Sequence, residues 1–89
     1  MNREQYFTKI NNLLNEYAIE NCPFKIGSVV DYSEFEFGNW SGSGSGIITV
    51  IYGRICGTKL EWVLQGYDKN LLGVGFILSE TDYKNKKDN

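Results

Sequence analysis

The side chains able to do chemistry in this sequence are few. Histidine is absent, so general acid–base work would fall to carboxylates. Glu34 and Glu36 stand two residues apart, as do Asp31 and Ser33, and each pair would share one side of an extended strand. A catalytic acid needs apolar surroundings that raise its pKa, and the flanking residues supply none strong enough. Cys56 sits near Arg54, a cation that could favour its thiolate. With no histidine as base, that thiol lacks its usual partner. Two cysteines without histidine are too few for a structural zinc site, which takes about four such ligands. These residues point to a chain that is not an enzyme and carries no metal and no cofactor.

A second chemistry to weigh is phosphate binding at the glycine-rich run Ser41-Gly42-Ser43-Gly44-Ser45-Gly46. Phosphate cradles of this kind lead from a strand into a helix, and P-loops add a Lys followed by Ser or Thr. Here a β-branched stretch follows and no lysine is near. The run reads as a flexible hairpin tip. Immediately before it stand four aromatics (Tyr32, Phe35, Phe37, Trp40) interleaved with Asp31, Glu34 and Glu36. The apolar parity switches near Ser33-Glu34, so the strand must bulge, bend or break there. Aromatic side chains concentrate binding energy. Tyr32, Glu34, Phe35, Glu36, Phe37 and Trp40 are therefore the candidate partner-binding residues. The competing reading is that some of these rings cap the open end of the core.

Charge narrows the partner. The chain has a formal net charge of −2. Residues 25–83 hold four basic and seven acidic side chains, and the tail holds Lys84, Lys86 and Lys87 against Asp88. Nucleic-acid binders normally show a cationic footprint, because phosphates must be neutralised. None is visible outside the tail, which reads as a solvated end. Arg3, Glu4 and Lys9 interrupt the N-terminus, so no secretory segment is expected. A cytoplasmic location with free thiols follows as the expectation. No apolar run approaches the roughly 20 residues of a membrane span.

The elements that must position these residues can be read from periodicity. Tyr6, Phe7, Ile10, Leu13, Leu14, Tyr17 and Ala18 recur at helical spacing. They predict an amphipathic helix over about 3–20, started by Asn2 and ended before Pro23. It is expected to pack on the rest of the chain through Phe7, Ile10, Leu14 and Tyr17. After Pro23 the period becomes that of strands, over about 24–78. The first covers Phe24 to Tyr32. The stretch Ile47–Tyr52 is apolar on both faces and predicts a central strand covered on both sides. Leu60, Trp62 and Leu64 alternate with polar residues along Thr58 to Gln65. A last strand runs from Leu71 to Leu78, its Gly73 and Gly75 predicting either sharp coiling or the seat of the helix. Residues 54–57 and 66–70 link strands as hairpins. Residues 79–89 form a closing turn and basic tail. One domain, 1–89, is expected, of α+β class: an N-terminal helix packed on a small, strongly curved antiparallel sheet or barrel of about four to five strands.

The pattern Lys25-Ile26-Gly27-Ser28-Val29-Val30, followed by Gly46-Ile47-Ile48-Thr49-Val50-Ile51, resembles the opening of KOW-type and other SH3-like barrels. The resemblance covers about residues 25–83. It implies a barrel of about five strands and a binding role. The long acidic, aromatic loop differs from the shorter, more basic one of the translation and transcription members. The expected function is thus a small non-catalytic module that binds a protein partner through that loop. The alternatives are a nucleic-acid-associated barrel, or an acidic phage or mobile-element inhibitor that mimics nucleic acid.

Overall fold

A computed structural model of the chain describes residues 1–31, 44–70 and 73–84. Helix α1 runs Arg3–Asn21. Its start is a capping box: the Asn2 side chain accepts from the Gln5 amide at 2.9 Å, and the Gln5 side chain accepts from the Asn2 amide at 2.8 Å. This arrangement satisfies two donors that the first helical turn leaves orphaned. Cys22 is extended, as the residue before a proline prefers, and the helix stops there.

Four strands follow: β1 (Val29–Asp31), β2 (Ser45–Cys56), β3 (Lys59–Asp68) and β4 (Gly75–Ser79). They form one antiparallel sheet in sequence order, strongly curled into a half-barrel. The short helix α2, Glu80–Lys84, closes it. The link between β2 and β3 is tighter than the expected 54–57. Cys56 pairs with Lys59, leaving Gly57 and Thr58 as the turn. Gly57 has φ +65°, the first central position of a type II′ hairpin, whose twist matches the strands. The first strand is shorter than expected, since residues 25–28 form a turn held by the Ser28 hydroxyl and Lys25.

The inner face of the sheet and one end of α1 make the core. Ala18, Val30, Ile48, Trp62, Leu64, Phe76 and Leu78 are buried together. Glycines shape this face. At Gly46 a Cβ would strike the ring of Phe76, at Gly66 the Ile47 carbonyl and then that ring, and at Gly53 the backbone of Leu14. The helix is therefore seated on Gly53. The expected seat, Gly73 and Gly75, lies elsewhere: Gly73 is a turn residue at φ +81°, and Gly75 is exposed.

The expected helix contact is also corrected in part. Leu14, Tyr17 and Ala18 face the sheet at least half-buried, but Phe7 is 67% exposed and Ile10 49%. The sheet explains this. β1 pairs only with residues 45–47, and β4 only with residues 63–67. At Gly53, which pairs with Trp62, the sheet has narrowed to β2 and β3, with α2 along the edge of β3. Phe7 and Ile10 lie two turns and one turn further out than Leu14, where there is too little sheet to cover them.

Candidate interaction surfaces

The outer face of the sheet is built by two rows of paired residues. One row is Val29, Ile47, Tyr67 and Gly75; the other is Val50, Gln65 and Ile77. Ile47 and Val50 are three residues apart and would ordinarily face opposite sides. A bulge between Ile48 and Val50 resets the alternation and brings both to this face. The expectation that the central strand is covered on both sides is thereby overturned. β2 is central, but its outer side chains are open, with Ile47 43% and Val50 44% exposed. Val29, Tyr67 and Ile77 are each more than half exposed. Gly75 contributes no side chain to its row, so a shallow groove remains between Tyr67 and Ile77, bordered by Thr49, Val50 and Gln65. Neither row carries a charged residue. Toward the hairpin this face closes: Val63 is fully buried, and the Gln65 amide donates to the Tyr52 hydroxyl at 3.1 Å.

The described carboxylates nearest to a chemical arrangement are Glu61 and Glu80, and neither was singled out by sequence reasoning. Glu61 is 4% exposed. It accepts from Arg54 Nε at 2.8 Å, from the Thr81 amide at 3.1 Å and from the Thr81 hydroxyl at 2.7 Å. Burial pushes its pKa up, but the Thr81 and Arg54 donors outweigh it and hold the carboxyl at about 2. Glu80 accepts from the Tyr17 hydroxyl at 2.9 Å, the Trp62 amide at 3.2 Å and Lys84 Nζ at 2.8 Å. Burial again opposes ionisation, and the Lys84, Tyr17 and Trp62 donors prevail, so its pKa is lowered. Each carboxylate is ionised and occupied by donors from the fold itself. Glu80 ties α1, β3 and α2 together, and the bond to Glu80 in turn raises the Tyr17 phenol. A signal for Glu61 did exist in the sequence: an acid within a strand flanked by Leu60 and Trp62 and placed opposite Arg54 once the hairpin register is known.

The thiols offer little for nucleophilic chemistry. Cys22 and Cys56 are both free. Burial pushes the Cys22 thiol up. Cys56 is exposed, and the nearby Arg54 guanidinium is engaged with Glu61. Among the described residues, no group of three or more Cys, Asp or Glu is placed to hold a metal ion, and no helix is long and apolar enough to cross a membrane.

The partner-binding residues expected from sequence, Tyr32, Glu34, Phe35, Glu36, Phe37 and Trp40, lie outside the described residues, as do Lys86 and Lys87 of the tail. The described ends of that segment are Asp31 and Ser45, which pair with each other two residues from the Val29–Ile47 pair. No protein-family model matches the sequence, and comparisons with curated proteins and with solved structures find no match.

Proposed function

We propose that this chain is a small non-catalytic binding module for a protein partner, and that the outer sheet face around Tyr67 and Ile77 is its contact surface. The observation that carries this reading is the uncharged apolar row structure of that face. Val29, Ile47, Val50, Tyr67 and Ile77 are exposed side by side, and contiguous exposed apolar patches mark interaction sites. A surface of this chemistry gains by burying apolar area against another protein. It offers no cations to neutralise phosphates, which disfavours the nucleic-acid alternative. The acidic, aromatic stretch 31–40 starts at the border of the same face, so its rings would extend the contact in this proposal. An SH3-like barrel relationship remains part of the proposal.

The test is affinity capture from the native host with the wild-type chain, Ile77→Asp and Gly75→Leu. Gly75 has a negative φ, and an added Cβ would meet only the Gly66 carbonyl, at 3.5 Å. Its substitution should therefore fill the groove without disturbing the fold. A partner retained by the wild type and lost by both folded variants supports the reading. The same partners retained by all three chains would exclude this face.

A further inference from the structure

We propose that two copies of this chain associate through α1, side by side and antiparallel. This surface is separate from the outer sheet face and does not depend on the reading given to it. Tyr6, Phe7, Ile10 and Leu13 are 56%, 67%, 49% and 56% exposed, although they are the apolar residues of an amphipathic helix. Tyr6, Ile10, Leu13 and Tyr17 follow one another at steps of four, three and four, the spacing of a helix–helix seam. That seam runs along the flank of α1, beside the stripe by which Leu14 and Ala18 meet the sheet.

Charge selects the second copy as occupant and sets its direction. Arg3 and Lys9 border the seam in its first half, whereas Glu16 and Glu20 border it in its second half. Glu4 points to the opposite side of the helix, by the 100° turn per residue. All four bordering residues are exposed. The ion pairs described within the chain, Arg54–Glu61 and Lys84–Glu80, use none of them. An antiparallel pairing that stacks Ile10 on Leu13 of the second copy also sets Tyr6 against the part of its Tyr17 that the sheet leaves exposed. The same register brings Arg3 to its Glu20 and Lys9 to its Glu16. Every charge on the seam then meets its opposite. A parallel pair would instead set Arg3 on Arg3 and Glu20 on Glu20.

Area sets the strength. An aromatic side chain presents on the order of 150–250 Å² when free, so the half-exposed seam residues Tyr6, Ile10 and Leu13 offer roughly 300 Å² per copy. With the stems of the bordering charges, the pair buries on the order of 1,000 Å², the lower bound of a specific interface. The dimer is therefore a weak one, populated at micromolar to near-millimolar concentration.

Sedimentation equilibrium on the full chain, from about 5 μM to about 1 mM, tests this. The expected result is a mass rising from 10.2 kDa toward twice that value. Ile10→Glu with Leu13→Glu should abolish the rise while leaving the far-UV spectrum and melting temperature unchanged, since both sites are exposed. Should that variant fail to fold, charge exchange decides. Lys9→Glu and Glu16→Lys should each weaken the dimer by about tenfold, two symmetric contacts being reversed at once. The double variant should return to within about threefold of the wild type. A mass of one chain at every concentration overturns the proposal. So does a dimer that survives Ile10→Glu with Leu13→Glu, or a double charge exchange that fails to restore association.

Discussion

The two faces of the β2–β3 pair use the same residue types to opposite ends. On the inner face, Ile48, Leu64, Phe76 and Leu78 are buried in one core with Ala18 of α1. On the outer face, Ile47, Val50 and Ile77 are exposed, although they are neighbours in sequence of those core residues. Side-chain hydrophobicity does not distinguish the two sets; what covers them does. The inner face has a helix, a closing turn and the rings of Phe24 and Tyr83 around Trp62. Among the described residues, no helix covers the outer face.

The sharpest way to break this comparison is at the centre of the covered side. Trp62 is 1% exposed and packs at 5.4 Å between ring centroids against Tyr83. Trp62→Ala should cost about 3–5 kcal/mol in urea unfolding. A smaller loss, of the order seen at surface sites, would show the inner face to be less of a core than its burial indicates. Gly53→Ala comes next. Its Cβ has no room beside the Leu14 backbone, so the helix must lift, at about 1–3 kcal/mol. Gly75→Ala, its outer-face counterpart, should be nearly neutral in the same assay.

Glu61 gives a comparison in pH. Its folded pKa is about 2 against an ordinary 4.5. The folded state therefore binds its proton less readily than the unfolded chain, and the stability it contributes is present above about 4.5. That stability is lost as pH falls through about 2. Glu61→Gln should be less stable at pH 7 by about 1–3 kcal/mol, since a buried charge-assisted network is weakened. The gap to wild type should shrink steadily between pH 4.5 and pH 2. A gap independent of pH would assign the effect to packing instead of to the carboxylate.

Much of this arrangement was legible from residues, and the rest had identifiable obstacles. The helix, its cap at Asn2 and its end at Pro23 followed from local rules, because capping and proline sterics act within a few residues. The α+β class and the curled sheet followed from the change of period after Pro23. What local reasoning missed was coverage. Phe7 and Ile10 have the spacing of a packed face, but whether sheet lies beneath them depends on the lengths of β1 and β4, which are set by distant pairings. The bulge at Ile48/Val50 reversed the facing of half of β2 without any glycine or proline to mark it. The helix seat fell at Gly53, within an otherwise β-branched strand, where isolated glycine already signals a close approach. Glu61 went unnoticed for the same reason as the seat: its partners Arg54 and Thr81 meet it only once the strands are in register.

The smallest expected effect bears most directly on function. Ile77 is 54% exposed and sits between Leu78 and Phe76, both buried. Ile77→Thr keeps β-branching, and so the strand preference, while removing apolar surface from the outer face only. At an exposed site with no partner to lose, stability should change by no more than about 0.5 kcal/mol. Leu78→Thr, one residue further, exchanges a fully buried side chain for a hydroxyl without a ready partner, and should cost several times as much. The pair of melting curves thus reads the two faces from adjacent positions of one strand. Equal losses would mean that Ile77 is covered in solution, and the outer face would then be a second core layer with no surface to offer a partner. A neutral Ile77→Thr leaves the exposed isoleucine without a structural reason to be apolar, which is the condition expected of a residue kept for contact with another protein.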